Sequence, residues 1–107
     1  MSDRIEAIRK LLTKDPTDVF LHYSLAMELA SRKEFAQAVE ALRKCIALDR
    51  QYLPAYVEAG KCLRSAGDLP GAREILKQGL ALAMDKGETH TASYIRQQLE
   101  GLPAVEK

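Results

Sequence analysis

Apolar residues return every three or four positions along most of this chain, the spacing of one helical face, and polar stretches interrupt them five times. Ile5, Ile8, Leu11 and Leu12 mark a first helix over 2–13, with Arg4, Glu6, Arg9 and Lys10 on its other faces. Ser2 or Asp3 can cap it. Asp15-Pro16 ends it, because the proline ring disfavours helical geometry at the residue before it. A second helix spans 18–31, with His22, Leu25, Ala26 and Leu29 on its packed face. Arg32-Lys33-Glu34 is a tight link to a third helix over 35–48. A fourth opens at Tyr52 or Leu53, with Pro54 tolerated in its first turn. In Ala66-Gly67-Asp68, Gly67 can take a positive φ and Asp68 can cap the helix that follows. That fifth helix carries Ala72, Leu76 and Leu80 and runs to about residue 82, inside a segment 52–84. Asp85-Lys86-Gly87 is a turn. A last helix over 88–102 shows an apolar stripe of Ile95, Leu99 and Leu102, and 102–107 is expected to be a frayed tail.

Two of these helix pairs share one pattern. His22, Leu25, Ala26 and Leu29, followed by Phe35, Ala38, Leu42, Cys45 and Leu48, recur as Tyr56, Ala59, Gly60 and Leu63, followed by Leu69, Ala72, Leu76, Gly79 and Leu82. Equivalent residues stand 34 positions apart throughout. The small residues Ala26, Gly60, Ala38 and Ala72 let helix axes approach closely, and the large ones fill the space around the contact. This period and pattern resemble the tetratricopeptide repeat. The resemblance covers roughly 5–102 and is that of a small stand-alone member of the family. It implies an all-α fold, an α-solenoid of antiparallel helix pairs forming one domain over 1–107. Two full repeats (18–48 and 52–84) would be preceded by a half-repeat helix (2–14) and closed by a capping helix (88–102). Arg50 departs from the pattern, because many members carry proline there. At a strict step of 34, Gly60 becomes Tyr94 and Leu63 becomes Gln97, and neither fits the packed positions. The final helix is therefore atypical and more polar, as an array needs in order to end without an exposed seam.

Composition narrows the functional classes. Apolar residues make up 47% of 107, enough for a packed core. A net charge of +1 lacks the footprint of a nucleic-acid binder and gives no reason to expect a membrane partner. Arg4, Arg9, Lys10, Arg43, Lys44, Arg64, Arg73 and Lys77 are interleaved with Glu6, Glu40 and Glu74, the arrangement of solvated ion-pair faces. The start has no continuous apolar run of a signal peptide, and no segment reaches the length of a membrane span. Cys45 and Cys62 are too few for a disulfide framework and fit buried, reduced thiols in a cytoplasmic protein.

Catalytic chemistry is not evident. His22 and His90 belong to no metal-binding spacing, so no metal is expected. Cys45 and Cys62 sit at packed helical positions without an adjacent base. Gly67-Asp68-Leu69-Pro70-Gly71 lacks the lysine and spacing of a phosphate loop. No cofactor is expected and the chain reads as a non-enzyme.

What remains is a surface. In the family it resembles, the first helices of successive repeats line a concave groove that binds peptides or partner helices. By position, that groove would show Phe20, Tyr23, Ser24, Met27 and Ala30 in the first repeat, and Val57, Glu58, Lys61, Arg64 and Ser65 in the second. Phe20, Tyr23 and Met27 share one helical face. Beside Lys61 and Arg64, they would hold an apolar anchor next to an acidic group. A terminal helix folded over the patch is the competing arrangement. The chaperone-binding members hold a peptide carboxylate with lysines, arginines and two asparagines. This chain has no asparagine, and it places Tyr23, Met27 and Glu58 at the corresponding groove positions. The expected function is thus a protein-interaction adaptor. A homodimer through the terminal helices is the alternative.

Overall fold

The structure is a computed structural model that describes residues 3–103. Ser2 and residues 104–107, parts of the expected cap and tail, lie outside the described residues. Six helices account for most of what is described: α1 Arg4–Lys14, α2 Val19–Ser31, α3 Phe35–Leu48, α4 Leu53–Ser65, α5 Leu69–Asp85 and α6 Thr89–Glu100. Each packs chiefly on its neighbours in the chain, from α1 on α2 through to α5 on α6. The stack measures 42 × 29 × 21 Å. The core runs along it as a continuous seam, with Leu42, Cys45, Leu76 and Ile95 fully enclosed.

The close approaches lie where the small residues predict them. Ala26, Ala38 and Ala72 are completely buried. A Cβ on Gly60 would lie 2.4 Å from Leu76 Cδ2, and one on Gly79 would lie 2.9 Å from Tyr56 Cβ. Asp18 caps α2 by accepting from the Leu21 amide at 3.1 Å, and Asp68 caps α5 by accepting from the Gly71 amide at 3.0 Å. Asp3 does not cap α1. Its carboxylate lies 3.8 Å from Arg32, while Arg4 donates to Glu28 at 3.0 Å. These exposed pairs orient α1 on α2 and contribute little energy.

Three connections use one turn. The amides of Glu34, Asp68 and Glu88 donate back to Leu29, Leu63 and Ala83 at 2.9, 2.9 and 2.8 Å. The residue before each donor has a positive φ: Lys33 at 64°, Gly67 at 89° and Gly87 at 73°. This is the left-handed helix C-terminus, for which glycine carries no Cβ penalty. Lys33 stands where the other two turns have glycine. Replacing it, Lys33→Gly, is expected to raise stability in urea unfolding by about 0.5–1 kcal/mol, the relieved left-handed strain less the extra freedom of the unfolded chain. No gain, or a loss, would mean the lysine stem contributes packing that offsets its strain.

The other two connections are linkers led by Asp15 and Asp49, which leave the helical conformation with φ of −140° and −146°. A buried ring reaches back to each. His22 Nε2 donates to the Pro16 carbonyl at 2.7 Å, and the Tyr56 hydroxyl donates to the Arg50 carbonyl at 2.7 Å. Both donors and both acceptors are 34 positions apart. His22 therefore does with an imidazole what Tyr56 does with a phenol.

The third pair leaves this frame for a visible reason. The position 34 after Asp49 is Ala83, which is buried and continues the helix. The fifth helix accordingly runs to Asp85, three residues beyond the expected end, and Asp85 belongs to the helix rather than the turn. Glu88 stands at the N-cap position of α6, a step of 36 from Tyr52 at the N-cap position of α4, and neither side chain bonds back to its helix. In that register Tyr56, Ala59 and Leu63 correspond to Ala92, Ile95 and Leu99, which are buried, buried and half-buried. Tyr94 then matches Glu58, an outward position, and its misfit at a step of 34 disappears.

The expected fray at residue 102 is also corrected. Leu102 is buried. Two arginines fix the backbone around it: Arg64 donates to the Gly101 carbonyl at 3.4 Å, and Arg73 to the carbonyl of Pro103.

Candidate binding surface

Helices α2, α4 and α6 alternate with α1, α3 and α5, so their outward residues share one face of the stack. On α2 that face carries Phe20 and Met27, which are 65% and 36% exposed. None of the described helices folds over them. Between them Tyr23 is half-buried and meets Tyr52 edge-on, with ring centroids 5.5 Å apart and planes at 72°. Edge-to-face packing of this kind holds both rings in place. The Tyr23 hydroxyl is pushed up to about 12, first by burial, then by the Glu58 carboxylate, with smaller contributions from Tyr52 and Cys45. Tyr52 is raised as well, mainly by burial.

Tyr52 carries this aromatic strip into an open cavity of about 680 Å³ between the first turns of α4 and α6. Tyr52, Pro54, Val57 and Glu58 line it from the α4 side, and His90, Thr91 and Tyr94 from α6. The flanking linkers add Asp49, Gln51, Lys86 and Glu88, and Lys86 Nζ donates to the Gln51 carbonyl at 3.4 Å. A second cavity, of about 650 Å³, opens between α1 and α3. It is floored by Leu12, Leu25 and Leu29 and bordered by Arg9, Arg43 and Lys44.

The six residues singled out from sequence are distributed as follows. Val57 lines the α4–α6 cavity, and Tyr23 reaches it through Tyr52. Phe20 and Met27 extend the apolar face along α2. Lys61 lies 3.7 Å from Glu58. Arg64 directs its guanidinium to the end of α6. Sequence reasoning missed Tyr52, which it used only as a helix start, and Tyr94, which it counted in the wrong register. The signal that locates Tyr94 is the absence of a linker aspartate at position 83.

The polar groups elsewhere have structural occupations. Cys45 is a free, buried thiol pushed up to about 11 by desolvation, and it donates to the Val19 carbonyl at 3.6 Å. Cys62 is raised by burial and then by Glu58. Both shifts disfavour the thiolate, the reactive form. Among the described residues, no group of three His, Cys, Asp or Glu side chains is placed to hold a metal ion. No described helix is long and apolar enough to cross a membrane.

The model of the tetratricopeptide-repeat family matches residues 29–92, more than half of the chain. The chain belongs to the tetratricopeptide-repeat family. A TPR repeat-containing protein of Pseudomonas aeruginosa is 33% identical over 84 residues, spanning 78% of this chain and 80% of that protein. Among solved structures, a Bordetella parapertussis protein superposes with a TM-score of 0.81 at 27% identity, covering 94% of this chain and 87% of its own. The first TPR of Spaghetti (RPAP3), solved bound to the HSP90 peptide SRMEEVD, has a TM-score of 0.71 and 26% identity. That match covers 91% of this chain and 78% of the other. Tetratricopeptide repeats are in general protein-interaction modules, and this chain has their architecture, with a 36-residue step at its last helix.

Proposed function

We propose that this protein is a non-catalytic adaptor that binds an extended peptide or a helix of a partner protein on the face formed by α2, α4 and α6. The observation that carries this reading is the continuity of the aromatic strip, Phe20, Tyr23 and Tyr52, with the open cavity closed on its far side by Tyr94. Large rings with few rotatable bonds give contact area at low entropic cost, which is why such anchors dominate binding surfaces. Phe20 and Met27 are exposed beside them and supply the apolar continuation that an extended segment would follow. The first TPR of Spaghetti supports the reading, because a related repeat domain holds a peptide. Its acidic ligand is not the one expected here, since Glu58 lines the cavity and the chain has no asparagine. Buried free thiols at Cys45 and Cys62 fit a cytoplasmic setting for this adaptor.

The test uses Met27→Glu/Tyr94→Glu, two substitutions at exposed positions that leave the core untouched. Wild type and variant are first matched by circular dichroism and thermal melting, then used as baits in lysate of the source cell. The expected result is a small set of proteins retained by wild type and lost from the variant. Identical sets on both baits would remove this face as the site.

A further inference from the structure

We propose that the cavity between α4 and α6 selects a cationic side chain, arginine or lysine, flanked by apolar residues on the peptide that this face binds. The inference rests on the reading of the face as a peptide site and adds the chemistry of its occupant. Three carboxylates line the cavity: Asp49 and Glu58 on one side, Glu88 on the other. The one lysine that lines it, Lys86, already donates to the Gln51 carbonyl. Lys61, outside the lining, lies 3.7 Å from Glu58. That separation leaves Glu58 acceptor capacity for a second donor.

Burial strengthens the preference. The Glu58 side chain is only 21% exposed, so its charge is less screened than that of a surface glutamate. Its field reaches both Tyr23 and Cys62, where it opposes formation of a second negative charge. Tyr52 and Tyr94 line the cavity as well, and an aromatic ring attracts a guanidinium or ammonium placed over its face through the ring quadrupole. Pro54 and Val57 supply the apolar floor for the stem of a long cationic side chain.

The acidity is local. The chain as a whole carries +1, and the cavity between α1 and α3 is bordered by Arg9, Arg43 and Lys44 against a single acid, Glu40. Two openings of similar volume therefore have opposite signs, and only the acidic one adjoins the aromatic strip. A polyanion such as RNA is repelled from the α4–α6 cavity by the same carboxylates.

The test begins with a phage-displayed random dodecapeptide library panned on the wild-type protein, so no partner need be known. The expected result is enrichment of peptides with an arginine or lysine beside aliphatic or aromatic residues. The best is then synthesised, together with a copy in which citrulline replaces arginine (or norleucine replaces lysine). Binding of the parent peptide is expected to fall about tenfold on Glu58→Gln/Glu88→Gln, as loss of two charge contacts implies, and to weaken with added salt. The citrulline or norleucine copy is expected to lose affinity to the same extent on unaltered protein, a comparison independent of how the variant folds. Recovered peptides that are neutral or acidic, or a neutral copy that binds as well as its parent, overturn the proposal. If such peptides still fail to bind Met27→Glu/Tyr94→Glu, the face remains a peptide site and only its charge preference falls. If no peptide is recovered, or those recovered bind that variant unchanged, both readings fall together.

Discussion

Gly60→Ala is expected to lower stability even though alanine is the better helix former. Propensity favours the substitution by about 1 kcal/mol. Packing opposes it, because the new methyl would lie 2.4 Å from Leu76 Cδ2 and 2.5 Å from Leu76 Cγ, inside van der Waals contact with both. Leu76 is 2% exposed and enclosed by the seam between α4 and α5, so it has little room to move. Overpacking of this kind costs about 1–3 kcal/mol, enough to outweigh the helix gain. Leu76→Ala alone is expected to cost about 2–5 kcal/mol through lost burial and the cavity left behind. In the double variant the added methyl occupies part of the vacated space, so the two losses should sum to less than their separate values. Urea unfolding of the four proteins of this cycle measures the coupling. Strict additivity would mean that Gly60 and Leu76 do not constrain one another, and the close approach of α4 and α5 would need another explanation.

Ile95→Asp should detach α6 from the stack. Ile95 is 0% exposed, and its Cδ1 lies 3.4 Å from where a Gly79 Cβ would stand, so it sits at a close approach of α5 and α6. The substitution removes about 1.5–3 kcal/mol of apolar burial and puts a carboxylate where nothing can pair with it. Of the other helices, α6 packs chiefly on α5, and an array with nearest-neighbour contacts loses its end unit before its middle. Hydrogen exchange is therefore expected to show lost protection across Thr89–Glu100 while α2 to α5 stay protected. Any peptide held in the α4–α6 cavity should be released, because one wall has gone. Uniform loss of protection in all helices would show that the stack unfolds as one cooperative body. Full retention in α6 would show that other contacts hold it.

The helices were legible because each carries its own apolar stripe, and two of the pairs carry it in duplicate. Duplication also assigned His22, which makes sense as an odd aromatic only beside Tyr56. The linker carbonyls of Pro16 and Arg50 complete that equivalence. Legibility stopped where the period changed. A count in steps of 34 carries past Ala83 without registering that a helix-ending aspartate is missing, and it assigns Tyr94 to the inside. The proposed binding face suffered most, since an error of two residues on a helix moves a side chain to the opposite side. The docked end at Leu102 was hidden for a different reason. Arg64 and Arg73 act on carbonyls 37 and 30 positions away, and a backbone acceptor leaves no mark in the amino-acid pattern. Val57 and Tyr23 lie within the regular portion, where a step of 34 holds, and both are half-buried.

The step of 36 also bears on how this molecule can be lengthened. Arrays of this kind are extended by copying a module of fixed length, and the junction must present the same linker each time. The junction after α5 does not. It lacks the aspartate of Asp15 and Asp49, and Ala92 takes the place of the anchoring rings of His22 and Tyr56, so no phenol or imidazole is there to tether an extended linker. A module copied from residues 15–48 and joined after residue 82 restores the regular linker and displaces the present α6. Joined after α6, the same module inherits an offset of two residues. The α5–α6 junction breaks the period through its chain length, and an engineer extending the array has to rewrite it.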